Sequence, residues 1–288
     1  MAADIYLGAT KLNKVALGAT TLNAVYLGTN KIWPSVFNPL SLFAAGQVGA
    51  YYEIGIGLTS KGFHRCYQDV ARTTPCTAAG QPIRSISDLS GYGKHVSSNN
   101  STICTLQLDA KGYYMQGVGT SAYFYTATIN DAVNLNLCIA ACFGYGTTAL
   151  SGASPVFHVG GVSGDYLRIL NDHASLTNYT FHAIRGGLYM INTADTIGSG
   201  VDDRTYMMHT TYGAPNTNCA LFKNGSTTNM AGGGAAGAMP NAIQIQIGRT
   251  SAKFRAGFYW ANSFFAGANW VALSDYWKSA DFNGSNPI

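Results

Sequence analysis

Side chains able to do acid–base chemistry are scarce in this chain. Of 288 residues 10% are charged, and the acids are a single glutamate, Glu53, and twelve aspartates. Hydrolysis of a glycosidic bond by the usual route needs two carboxyl groups about 5–9.5 Å apart, one acid and one base or nucleophile. No Glu-x-Asp-x-x-Glu strand supplies such a pair. Most aspartates stand in turn contexts. Asp88 lies just before Ser90-Gly91, Asp165 follows Gly164, and Asp202-Asp203 precedes Arg204. These read as turn formers and caps. On a strand, the adjacent pair Asp202-Asp203 would point to opposite faces, a poor arrangement for shared work. The expectation is a protein with no catalytic residues, not an enzyme.

The other reactive types agree. His64, His95, His158, His173, His182 and His209 show no metal-ligand spacing with one another or with cysteine, whereas zinc sites announce themselves by close ligand pairs. They read as satisfied or surface residues, and no metal or cofactor is expected. No Gly-x-Ser-x-Gly elbow sits between a strand and a helix. Gly232–Gly237 matches Gly-x-Gly-x-x-Gly letter for letter, but Met239-Pro240 and a strand follow it. A phosphate cradle needs a helix N-terminus there, so this is a hairpin loop. The clue to binding is aromatic. Tyr113, Tyr114, Tyr123, Tyr125, Tyr189, Tyr206, Tyr212 and Tyr259 could stack on sugar rings with an apolar face and a polar tip, or serve as sheet core. No ligand-binding residue is singled out among them.

Six cysteines, Cys66, Cys76, Cys104, Cys138, Cys142 and Cys219, are too few for a disulfide scaffold. In Leu135–Phe143 the alternation puts Leu135, Leu137, Ile139 and Phe143 on one face and Cys138 and Cys142 on the other. On one strand those two Cα atoms lie roughly 13 Å apart, too far to bridge. Cys66 and Cys76 flank a hairpin and could meet across it. The alternative is that all six are buried thiols.

The elements that must position these residues are strands. Short apolar runs cut by Gly, Asn, Asp and Ser recur along the chain, among them 122–126, 134–143, 156–160, 166–170, 179–184 and 206–211, and their rhythm predicts an all-β sandwich. Ile243-Gln244-Ile245-Gln246-Ile247 alternates cleanly and should have one wet face. Asn224-Gly225 is the preferred two-residue hairpin turn. Residues 257–261 with Phe264-Phe265 supply an aromatic core strand. The helix expected over 268–279 places Trp270, Leu273 and Trp277 on one face.

Residues 1–34 form a separate unit, a decapeptide said three times: Leu7-Gly8, Leu17-Gly18 and Leu27-Gly28, each followed by a branched apolar residue at 12, 22 and 32. Ten residues hold two short strands and a Gly-centred turn. Three such units bury little alone, so these residues are expected to oligomerise and anchor, with a trimer preferred. A three-unit meander packed on the main domain is the alternative. Residues 35–50 would be a connector and 51–288 the main domain. Sparse charge, a net charge of +4 without Lys/Arg clustering, 34 glycines and 18 tyrosines describe a polar, weakly charged surface. No nucleic-acid footprint is visible. Nothing resembles a signal peptide or a membrane span. A virion component, made in a host cytoplasm and exposed on the released particle, reconciles these features.

Three blocks carry a family resemblance. They are Phe37–Phe43 through Gly49-Ala50-Tyr51-Tyr52; Gln68–Pro82 with Asp88-Leu89-Ser90-Gly91-Tyr92-Gly93-Lys94-His95; and Leu221–Gly225, Ile247-Gly248-Arg249 and Ala272-Leu273-Ser274-Asp275. Together they resemble bacteriophage virion proteins with a concanavalin A-like, laminin-G-like jelly roll, and the Tyr-Leu-Gly-x-Thr repeat resembles the N-terminal segment of phage tail-fibre proteins. The resemblance implies a jelly-roll sandwich with one short C-terminal helix, projecting from a segment that attaches to other virion proteins, and adhesion to a host surface glycan. Capsid or neck decoration without a ligand is the second reading. A glycan hydrolase is the third, disfavoured by the missing carboxylate pair. Where the family has a Phe-Asp-Gly-x-Asp-Asp-Tyr-like segment this chain has Met115–Tyr123, without the acids a Ca²⁺ site would use. Cys66 and Cys76 stand where the family has facing aliphatic residues, which points to a bridge between them.

Overall fold

A computed structural model describes residues 6–7, 10–11, 15–17, 20–22, 25–27, 30–33, 37–59, 62–98, 104–117, 124–129, 136–144, 154–161, 166–171, 178–185, 188–196, 204–211, 220–228, 231–232, 243–248, 253–261, 267–279 and 282. The main body is the expected all-β sandwich, built from two antiparallel sheets. One sheet, called the outer sheet, runs Leu188–Thr196, Asn178–Arg185, Tyr166–Asn171, Ser154–Gly160, Gln244–Ile247, Phe124–Tyr125, Val96–Ser97, Ser85–Ile86 and Cys66–Tyr67 in spatial order. The other, the middle sheet, runs Ala231–Gly232, Ala220–Lys223, Arg204–Thr211, Asn136–Gly144, Lys253–Ala261, Gly112–Gln116, Cys104–Asp109 and Pro82–Ile83. Gly49–Glu53 also pairs with Lys253–Ala261.

Alternation decides which side chains enter the core. Ile243, Ile245 and Ile247 are fully buried between the sheets, and so are Leu137, Ile139, Ala141 and Phe143 from across the gap. Their neighbours on the opposite face of Asn136–Gly144, namely Cys138, Ala140 and Cys142, enter a second core. That second core lies between the back of the middle sheet and the helix Ala268–Lys278. The helix buries Trp270, Leu273, Tyr276 and Trp277, the face set by its 3.6-residue period. The layers are therefore outer sheet, middle sheet and helix. The side of the outer sheet away from the core is not covered by any element among the described residues.

The stretch 35–50, expected as a connector, is packed structure. Asn38 caps the 3₁₀ turn Pro39–Gly46 by accepting a hydrogen bond from the Leu40 amide at 2.9 Å. Leu42 and Phe43 are buried in the second core, and the strand on Lys253–Ala261 already begins at Gly49. The apolar residues of this stretch have a sheet face to cover, which is why it does not behave as a linker.

In the repeat, each decapeptide forms its own antiparallel ribbon: Tyr6–Leu7 with Thr10–Lys11, Val15–Leu17 with Thr20–Leu22, and Val25–Leu27 with Asn30–Trp33. Leu7, Leu17 and Leu27 end the first strand of each ribbon. Gly8, Gly18 and Gly28 lie outside the described residues. Among the described residues no ribbon pairs with another or with the sandwich.

At Asn224-Gly225 both residues have positive φ, 54° and 75°, the geometry of the hairpin turn that this dipeptide favours. The Asn224 side-chain oxygen accepts from the Thr205 amide at 3.2 Å, tying the turn to the neighbouring strand.

Candidate functional site

A cleft of about 470 Å³ opens on the uncovered face of the outer sheet, lined by Tyr125, Pro155, His158, Arg168, Leu170, Gln244 and Gln246. Register builds it. Tyr125 is opposite Gln246, Gln246 opposite His158, His158 opposite Arg168, and Arg168 opposite His182. Asn192 stands opposite His182 on the next strand. One cross-strand row thus carries six side chains able to stack or hydrogen bond, over six strands. Pro155 and Leu170, also paired, add an apolar wall beside it. A register shift between Pro155 and Phe157 marks a bulge, a device that re-aims side chains on a sheet face.

The chemistry of the cleft is that of recognition. Gln244 and Gln246 are the wet face of the alternating strand, and each amide offers donors and an acceptor. Tyr125 is 38% exposed, so its ring is available. His158 is only 9% exposed. Burial, and then the nearby Arg168 charge, lower its pKa to about 4, so near pH 7 the imidazole is neutral and can both donate and accept. Its ring lies 5.3 Å from the Tyr166 ring, and the Arg168 guanidinium lies over that same Tyr166 ring at 4.1 Å. His182 is held below its usual pKa by burial and by Arg168. None of the residues lining the cleft is a carboxylate.

The described acids lie elsewhere. Glu53 is buried in a polar knot at the inner side of the helix. Its carboxylate accepts from Arg65 Nε at 3.1 Å, from the Tyr276 hydroxyl at 3.0 Å and from the Tyr51 hydroxyl. Trp277 Nε1 donates to the Tyr51 oxygen at 3.1 Å. The Tyr51 hydroxyl is pushed well above its usual pKa by burial and by the Glu53 charge. Asp88 forms its expected turn, accepting from the Ser90 amide at 2.9 Å, but it is also fully buried. It takes the amides of Tyr51 at 3.0 Å and Lys94 at 2.9 Å, which stitches its loop to a core strand. Asp69 caps the hairpin between Cys66 and Cys76 by accepting from the amides of Thr73 and Thr74. Asp109 pairs with Arg255 and Lys253, each at 2.8 Å. Asp202 and Asp203 lie outside the described residues.

Cys66 and Cys76 do face each other across that hairpin, with the Cys76 amide donating to the Cys66 carbonyl at 2.9 Å. The bridge implied by the resemblance is not formed: both are free, buried thiols, and Cys104, Cys138 and Cys142 are buried as well. Burial pushes the Cys66 and Cys104 thiols up to about 12. These side chains fill the core as small apolar groups. Cys219 lies outside the described residues.

Of the tyrosines considered for stacking, Tyr125 lines the cleft. Tyr206 and Tyr259 are fully buried, and Tyr114 is buried beneath Lys253 and Arg255. Tyr113 is partly buried against the main core. Tyr123 and Tyr212 are outside the described residues, and for Tyr189 only the backbone is described. Sequence reasoning passed over Arg168 and Leu170 inside an apolar run and Pro155 just before one. The available signal was the alternation itself: in Tyr166–Leu170, Arg168 falls on the face opposite Leu167 and Ile169.

No protein-family model matches the chain, and no curated protein matches it. Among solved structures, the binding domain of botulinum neurotoxin DC in complex with SialylT is 10% identical, with a TM-score of 0.45 over 68% of this chain and 51% of that one. Trypanosoma rangeli sialidase in complex with 2,3-difluorosialic acid is 13% identical, with a TM-score of 0.47 over 84% and 34%. A protein of unknown function from Shewanella oneidensis MR-1 is 9% identical, with a TM-score of 0.42 over 82% and 99%. The chain spans about half the length of the toxin domains it matches. Its assignment as a two-sheet sandwich backed by one helix rests on its own strand pairing.

Proposed function

We propose that the sandwich is a non-enzymatic saccharide-binding domain whose site is the outer-sheet cleft. The observation that carries this reading is the row Tyr125, Gln246, His158, Arg168 beside the apolar pair Pro155 and Leu170. A sugar presents both kinds of surface at once. Its C–H face would lie on Tyr125 and Leu170, and its hydroxyls would meet the Gln244 and Gln246 amides and the neutral His158 imidazole. The volume falls within the roughly 300–1,000 Å³ usual for small-molecule sites. Among the described residues no carboxylate lines the cleft and Glu53 is buried beneath the helix, so they offer no pair for the two-carboxylate hydrolysis route there; in this reading a bound glycan is held and released unchanged.

In the same proposal the repeat attaches the domain to a phage particle and joins copies of the chain, with a trimer preferred. The order of the three sequence blocks and the Leu-Gly repeat support this. So does the thinness of each ribbon: two-stranded pieces bury too little to be stable alone. The protein would then be a fibre or spike subunit displayed on the virion, with its cleft turned to a host glycan. A glycan array probed with the full chain tests the binding function; a blank array at micromolar protein would sink it. Native mass measurement of the full chain tests the repeat, because a stable monomer leaves it no assembly role. Imaging of labelled protein on particles tests the location.

A further inference from the structure

Among the described residues lining the cleft Arg168 is the permanent cation, and the fold braces it on two sides. Its guanidinium carbon sits 4.1 Å from the Tyr166 ring centre. Its Nη2 lies 3.1 Å, and its Nε 3.4 Å, from Nδ1 of His182. With Arg168 donating to it, Nδ1 accepts, so the His182 proton sits on Nε2. His182 also hydrogen bonds Asn192, its opposite on the next strand. Three residues on three successive strands therefore fix the guanidinium over the sheet.

Neither brace neutralises its charge. Among the described residues no carboxylate pairs with Arg168: Asp195 is engaged with Lys223 and the Tyr206 hydroxyl, and Asp109 with Arg255 and Lys253. Nε and Nη2 face the imidazole nitrogen, which leaves Nη1 without a hydrogen bond to it. A guanidinium braced in this way, with no carboxylate partner among the described residues, is a receptor for an anion, and its planar fork matches a two-oxygen acceptor. A single fork suits a monoanion.

Building on the saccharide-binding reading above, we propose that the ligand is an acidic saccharide whose sugar carboxylate seats on Arg168, while Gln244, Gln246 and His158 read its hydroxyls.

Calorimetric titration of the full chain at pH 7 and low salt tests this. The probes are trimers ending in galacturonate, glucuronate or N-acetylneuraminate, each against its neutral counterpart, plus a sulfated galactose trimer. At least one acidic trimer is expected to bind tenfold or more tighter than its neutral counterpart, with a preference that shrinks as salt rises. Arg168→Gln should weaken that trimer by about tenfold to a hundredfold and bring its affinity close to that of the neutral counterpart. Arg168→Lys, which keeps the charge and loses the fork, should recover part of the loss. Equal binding of neutral and acidic trimers, dependent on Tyr125, overturns the carboxylate assignment and leaves the saccharide reading standing. Tightest binding of the sulfated trimer overturns the carboxylate as well. If no trimer binds and the glycan array is also blank, both readings fall. The wild-type comparison does not require any variant to fold.

Discussion

Acidification should unload stability through His158, and the size of the effect follows from its burial. An exposed histidine titrates near 6.5. Burial on the sheet and then the Arg168 charge bring His158 down to about 4 in the folded protein. The unfolded chain therefore binds a proton that the fold refuses. The sign follows from linkage: the neutral imidazole's stabilisation is fully present above about pH 6.5 and drains away as the pH falls toward 4. The full difference corresponds to about 3 kcal/mol. Most of it, about 2 kcal/mol, should be gone by pH 4.5. The perturbation is His158→Gln, which keeps a hydrogen-bonding side chain and cannot charge. His95 and His182, also held low, titrate in both proteins and cancel in the comparison. The assay is urea unfolding at pH 7 and pH 4.5. Wild type should lose about 2 kcal/mol more than the variant between the two. Parallel losses would refute the reasoning, as would an NMR titration placing the His158 imidazole near 6.5.

Glu53→Gln leaves Arg65 charged and buried without its counter-ion, both side chains being only 1% exposed. The expected cost is about 3–5 kcal/mol, or a drop of roughly 10 °C in Tm, and a melt within 2 °C of wild type would count against the knot. Gly257→Ala places a methyl 2.7 Å from the Phe157 ring, in the inter-sheet core. Urea unfolding should show a loss of about 1–3 kcal/mol, and an unchanged midpoint would mean that the ring yields freely. Iodoacetamide at pH 7.5 should leave Cys66 untouched in the native protein, since the thiolate is scarce when the pKa is raised to about 12. After unfolding without reductant, Cys66 and Cys76 should label separately, whereas a linked peptide would restore the bridge.

What the sequence determined, it determined through local periods. Ile243–Ile247 alternates, so its isoleucines had one possible side once a core existed, and the same holds for Leu137, Ile139 and Phe143. Trp270, Leu273 and Trp277 share a helical face by spacing alone. Asn224-Gly225 specifies its turn because positive φ is a property of those two residues. Glu53 was visible as the sole glutamate, but nothing local said that it would be buried against Arg65, twelve positions on, and Tyr276, from the far end of the chain. The packed role of Leu42 and Phe43 was equally hidden, since Phe43 packs on Phe258, more than 200 residues later. Only the tertiary structure made the cleft. Tyr125, His158, Arg168 and Gln246 belong to four strands, and each looks like an ordinary wet-face residue on its own strand. Cross-strand register makes them neighbours, and register is a property of pairs of distant segments, which no single stretch of residues contains.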